Sequence, residues 1–235
     1  MVLRRSSCRR DGLPAAAILT KRPDLLAGED LPPGPRQKRS LRKRERLKAA
    51  GLALFGEKGY AGTSIGEVAR RADLAIGGFY QHFRSKRQLL MVLMDDLLEK
   101  LSHFKLRPEA VSDPRAGLHA LLSRAFSSDL RYLGAYRAWQ EAVLSDADLA
   151  QKQEQIQSWT TGRVTTVFEL LQQMPAARPG VDVPGLARAM DSFFWSLLAQ
   201  AVRLPRPELN RWIASVTHFI HHALFTDPRN QTGVE

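Results

Sequence analysis

Between residues 63 and 86 the chain carries Thr63, Tyr80, His82 and Lys86: a hydroxyl, a phenol, an imidazole and an ammonium group. Set at the ends of short helices, such groups donate to phosphate oxygens and hold a protein in register on a nucleic-acid backbone. Gly77 and Gly78 stand among them, each costing a helix roughly 1 kcal/mol relative to Ala. That cost suits a backbone that must approach DNA closely; the alternative is relief of crowding against a neighbouring helix.

Other chemistries are poorly served. Cys8 is the single cysteine, so an intramolecular disulfide or a cysteine zinc site is excluded by counting. His218 and His222 are four apart and could present two imidazoles to one metal, but they lie opposite the apolar stripe of their helix and no HExxH surrounds them. No G-x-S-x-G, P-loop or dinucleotide fingerprint occurs. We expect no catalytic residues, metal or cofactor.

Charge points the same way as the donors. Of the formal net charge of +11, residues 1 to 90 hold 20 Lys/Arg against 8 Asp/Glu, and residues 91 to 235 hold 15 against 16. A basic binding module joined to a near-neutral body has this layout, whereas a membrane-surface protein mixes its basic residues with an apolar helix face. No apolar run approaches the ~18 residues that span a bilayer, and the stretch from Leu13 to Leu19 is too short for a secretory signal. The expectation is a cytoplasmic protein without a membrane partner.

The elements that must position the donors follow from periodicity. Residues 1 to 40, rich in Arg and Pro, show no period and read as a disordered basic tail. From Lys43, the residues Leu47, Ala50, Gly51, Leu54 and Phe55 mark one face of a helix that ends near Gly56 and Gly59. Ser64 and Glu67 form a capping box for a short second helix, a third segment covers Ile76 to Phe83, and Ser85 with Gln88 opens a longer helix running to about Phe104. Two short helices around a tight turn at Asp73 result. Beyond Pro108 only helical segments follow, with breaks near Pro114, Ser145, Pro175–Pro184 and Pro205–Pro207, so the chain reads as all-α.

The run from Leu47 to Ser64, then Val68-Ala69-Arg70-Arg71-Ala72, Gly77-Gly78-Phe79-Tyr80-Gln81-His82-Phe83 and Ser85-Lys86 resembles the N-terminal domain of TetR/AcrR-type regulators. The resemblance implies an all-helical homodimer: an N-terminal helix-turn-helix three-helix domain, then a C-terminal helical domain for ligand binding and dimerisation. It also implies that Thr63, Tyr80, His82 and Lys86 match the family's phosphate contacts. Three positions depart from the family pattern. Asp73 stands for a turn glycine, Ala75 for a capping Ser or Thr, and Ile76 for a residue that is often polar. Gln81 is then the clearest base hydrogen-bonder and Ile76 a contact for a thymine methyl. Arg36, Lys38, Arg39, Arg42, Lys43, Arg44 and Arg46 form either a basic arm for DNA or a merely solvated segment.

In the body, Leu186, Met190, Phe193, Phe194 and Leu197 on one helix and Trp212, Val216, Phe219 and Ile220 on the last helix form wide apolar stripes. In a TetR-like protein these two helices pair with their symmetry mates, which assigns the nine residues to a dimer interface. Phe126, Tyr136, Trp139, Gln140, Trp159 and Phe168 combine aromatic faces with polar groups and read as a ligand pocket, with Glu141 available to pair with a positive group. The divisions are then tail 1–40, DNA-binding domain 41–88, effector-binding and dimerisation domain 89–228 and tail 229–235. The function expected is that of a dimeric ligand-responsive regulator, a repressor released from a palindromic operator by a small apolar or aromatic effector. A metal-dependent helical enzyme and a basic adaptor for acidic partners are the alternatives.

Overall fold

The apolar face of Leu47, Ala50, Gly51, Leu54 and Phe55 folds as helix α1, Lys38–Lys58, with all five residues buried. In this computed structural model, residues 21–34, 37–103, 113–127, 132–174, 176–201 and 204–226 are described. Helix α1 begins ahead of the expected Lys43, inside the segment read as tail. Gly59 ends it at φ 73°, a left-handed conformation that glycine adopts without steric cost.

Helices α2, Ile65–Arg71, and α3, Ile76–Tyr80, follow at once. The capping box forms as read: the Ser64 side chain accepts from the Glu67 N–H, and the Glu67 carboxylate accepts from the Ser64 N–H. Lys58 and Ser64 together hold the Glu67 carboxyl down to about 2. Asp73 takes φ 52°, and Arg46 of α1 secures this turn by donating to the Asp73 carbonyl and carboxylate. Ala75 offers α3 no side-chain cap, and the helix is five residues long, shorter than the Ile76–Phe83 expected. What anchors it is packing, because Phe79 and Phe83 are fully buried.

Helix α4, Lys86–Ser102, is nearly all apolar over Leu89–Met94 and is buried throughout that stretch. A strap formed by residues 21–34 lies along it, contrary to the reading of 1–40 as disordered. Leu25 is fully buried, Arg22 pairs with Asp95 at 2.5 Å and Glu99 at 2.7 Å, and Gln88 donates to the Asp30 carbonyl. Gln88 therefore does not complete a capping box with Ser85; its side-chain oxygen accepts from the Arg84 N–H instead. Residues 1–20 lie outside the described residues.

The body contains α5, Pro114–Ser127; α6, Tyr132–Val143; α7, Ala147–Gln172; α8, Val183–Ala201; and α9, Arg206–Leu224. Asp146 caps α7 by accepting from the Asp148 and Leu149 N–H groups. Helices α7 and α8 pack together, α5 packs on α9, and α6 lies between α1 and α4 on one side and α7 and α8 on the other. All elements among the described residues are helical apart from an isolated bridge between Ala177 and Phe225.

Candidate functional site

Two short helices and the turn between them leave one surface of α3 uncovered. Ile76 is 54% exposed and Tyr80 49%, and Gln81 and Gly77 are exposed beside them. A Cβ on Gly77 would meet nothing within 4 Å, and one on Gly78 would touch only Leu74 at ordinary distance. Neither glycine relieves crowding against α1. The face is thus open, rigidly seated by Phe79, and carries an amide, a phenol and an apolar tip, which suits it to the edges and backbone of a duplex groove.

The other donors read from the sequence are turned inward. Thr63 is buried and its hydroxyl donates to the Gly59 carbonyl at 2.7 Å. His82 is buried as well; burial, with Arg44 and Lys43 nearby, lowers its pKa and favours the neutral ring. Lys86 donates to the carbonyls of Tyr60 at 2.7 Å and Thr63 at 2.8 Å, with its Nζ 4.4 Å from the Tyr60 ring centre. Thr63 and Lys86, expected to grip phosphate, instead shape the turn between α1 and α2, and His82 is buried after α3. Of the four sequence-read donors, Tyr80 alone stands on the open face.

The basic run divides similarly. Arg44 lies over the Phe83 ring and donates to the His82 carbonyl, and Arg46 holds the Asp73 turn. Lys38, Arg39 and Arg42 remain exposed on the first turns of α1, while Arg36 lies outside the described residues.

The turn after α1 is gripped from the body as well. Glu141 of α6 accepts from the Tyr60 N–H at 2.6 Å and the Ala61 N–H at 2.9 Å. Hydrogen bonds to a charged group are worth ~1.5–3 kcal/mol when shielded and less at an exposed site such as this. On the same face of α6, a Cβ added at Gly134 would come within 2.7 Å of the Gly56 Cα and 2.9 Å of the Leu52 carbonyl, so α1 and α6 touch backbone to backbone. Glu141 was read as a pocket residue; the structure turns it toward the head. The signal was present in the sequence, since Gly134, Ala138 and Glu141 fall on one helical face whose small residues permit close approach. Arg87 is a second tie that sequence reasoning missed, pairing with Glu29 of the strap and with Asp146 and Asp148 at the start of α7.

The predicted pocket residues are not brought to one place. Trp159 and Phe168 line an apolar cavity of about 170 Å³ among α4, α5, α7, α8 and α9. Tyr136 and Gln140 line a separate, open polar cleft with Trp195. Trp139 is fully buried and donates from its indole to Gln153 at 2.7 Å, as a satisfied core residue. The Phe126 side chain lies outside the described residues. Six of the residues assigned to the dimer interface, Met190, Phe193, Phe194, Leu197, Val216 and Ile220, line the cavity within the single chain. Phe219, 59% exposed, faces outward, and Leu186 and Trp212 are half-buried. His218 and His222 have ring centres 4.2 Å apart, but among the described residues no three metal-ligating side chains gather. Nor is any described helix long and apolar enough to cross a membrane.

Comparison with known proteins agrees with the helix-turn-helix geometry. Residues 47–92 match the model of the bacterial regulatory proteins of the tetR family. The uncharacterised HTH-type transcriptional regulator YerO of Bacillus subtilis is 43% identical over 49 residues, 21% of this chain but only 17% of that protein. The HTH-type transcriptional regulator BetI of Cronobacter sakazakii is 26% identical over 157 residues, covering 65% of this chain and 77% of the relative. Among solved structures, SmeT in complex with triclosan shares the fold at a TM-score of 0.57 and 24% identity, over 79% of this chain and 93% of that one. Residues 47–92 are thus similar to the DNA-binding region of the tetR family, and the relatives that the chain resembles are transcriptional regulators.

Proposed function

We propose that the chain acts as a homodimer that reads a palindromic operator with the open face of α3 and is released from it when a small molecule enters the body. The reading divides the chain into a DNA-binding unit, residues 41–88, and an effector-binding and dimerisation unit, residues 89–228. Gln81 reads a base edge, Ile76 contacts a thymine methyl, Tyr80 donates to a phosphate, and Gly77 and Gly78 admit the DNA backbone. Exposed Phe193 and Phe219 supply the start of a surface for a second copy, which a twofold operator requires.

One observation carries the proposal: Glu141 and Gly134 attach α6 to the turn and helix that seat α3, while Tyr136 and Gln140 of the same helix face the cleft in the body. A ligand that moves α6 moves the reading head, provided it binds the DNA-incompetent arrangement more tightly. That SmeT has been solved with triclosan bound supports a small-molecule site within this fold. The test is selection of genomic fragments by the purified full-length chain, followed by a screen of small aromatics and amines for displacement of the retained fragment. The proposal predicts a recurring inverted repeat among retained fragments and at least one displacing compound. Retention without any shared sequence would contradict it.

A further inference from the structure

Asp191 of α8 is 4% exposed, and among the described residues no cationic side chain pairs with it. Its Oδ2 accepts from the hydroxyls of Thr160 and Thr161, each at 3.0 Å. Neutral donors alone, these two hydroxyls and the Trp195 indole, are a poor exchange for water around a carboxylate, which makes this an expensive group to keep in a protein interior. It stands in the wall shared by the body's two spaces, lining both the apolar cavity and the polar cleft. Aromatic faces surround it: Trp159 lines the cavity, and on the cleft side the Tyr136 and Trp195 rings stack with centres 4.7 Å apart. Indole and phenol faces attract cations.

The cavity has a cation of its own, Arg163, but that charge is already placed. It donates toward the Leu101 and Ser102 carbonyls at the end of α4, where a helix carries partial negative charge, and its Cζ is 5.2 Å from the centre of the Trp159 ring. Asp191 is met only by neutral donors among the described residues. At about 170 Å³ the cavity is close to the size that accepts a single benzene ring.

We propose that Asp191 anchors a small organic ammonium ion bearing one ring, with the ring in the apolar cavity and the ammonium group at the carboxylate. The proposal rests on the effector reading above and narrows it to a chemical class. Burial alone pushes the Asp191 carboxyl above the usual carboxylate range, and an ammonium ion at the site would draw it back down.

Three probes of one shape and different charge provide the test: 2-phenylethylamine, 2-phenylethanol and phenylacetate, titrated calorimetrically into the full-length chain without DNA. The amine should bind at least about tenfold more tightly than the alcohol, with phenylacetate weakest. In Asp191→Asn, checked for an unchanged melting profile, the amine's advantage should shrink to within about twofold while the alcohol binds as before. The wild-type comparison needs no variant and stands even if Asp191→Asn misfolds. An amine no better than the alcohol, phenylacetate binding tightest, an undiminished amine preference in Asp191→Asn, or no binding of any probe up to about 10 mM would each overturn the proposal. Operator binding, measured on the same preparation without probe, separates the two readings. If it is retained while the amine preference is absent, only the ammonium site falls; if it is absent, the regulator reading itself falls.

Discussion

The head, α1 to the start of α4, and the body, α5 to α9, differ in how they partner their charges. In the head the charges around the turns have short partners: Glu67 takes Lys58 and Ser64, Arg46 takes Asp73, and Lys86 takes two backbone carbonyls. The aromatic anchors Phe55, Phe79 and Phe83 are fully buried. The body keeps an apolar cavity and, in its wall, a carboxylate that meets only neutral donors among the described residues. The first arrangement suits a unit that presents one rigid face, and the second suits the ligand-driven change of state proposed for the body. Helix α6 belongs to both, with small residues against α1 and aromatic and amide groups toward the cleft.

Packing gives the largest test of this contrast. Phe55→Ala should lower the unfolding free energy by ~3–5 kcal/mol, measured by urea denaturation, because its ring is fully buried in the head. Val164→Phe, which adds bulk beside the body cavity, should cost less than the ~1–3 kcal/mol usual for overpacking and should block ligand entry. If the two regions respond alike to added and removed volume, the contrast is wrong. At the seam, Gly134→Ala should separate α6 from α1, at a cost of ~1–3 kcal/mol, and weaken operator binding in fluorescence anisotropy.

Smaller effects sharpen the picture at the reading face. Gln81→Ala should change preference among operator variants by ~1–3 kcal/mol at one base position, whereas Tyr80→Phe should weaken all duplexes together. With roughly six phosphates neutralised per dimer, log K should fall against log salt with a slope of about −5.

The two carboxylates titrate in opposite directions. Glu67, held to about 2 in the fold, contributes stability that is present above its unfolded value near 4.5 and lost as pH falls through about 2. Asp191, raised in the fold, is most compatible with folding below the unfolded aspartate pKa, and stability declines as pH rises through its folded pKa. Carbon-detected NMR titration of the two side chains should show Glu67 titrating below ordinary glutamates and Asp191 above ordinary aspartates.

Much of the head was legible in the sequence because local signals and tertiary demands agree there. Periodicity located α1, the Ser64–Glu67 box located α2, and Asp73, standing where the resembled family has a turn glycine, takes a positive φ. Side-chain direction was not legible. Thr63, His82 and Lys86 have the chemistry of phosphate contacts, but only the packed turn reveals that they face inward. The strap was hidden by composition, since an Arg- and Pro-rich stretch with no period still buries Leu25 through contacts with a distant helix. In the body, an apolar stripe reads the same whether it faces a partner or a cavity. Met190 and Val216 were therefore assigned outward and found lining an internal space. Asp191 carried no motif at all; its meaning comes from burial beside Thr160 and Thr161.

The central claim, that the body controls the head through α6, is tested most directly at Glu141. Operator affinity should be measured for wild type and Glu141→Gln, each with and without a saturating concentration of a compound found to displace the operator. Calorimetry should establish that the compound binds both proteins. The account predicts that the compound weakens wild-type operator binding at least about tenfold, a coupling of about 1.4 kcal/mol, and weakens Glu141→Gln by less than about twofold. Equal weakening of both proteins would contradict it, because the head would then be answering the ligand without the Glu141 link.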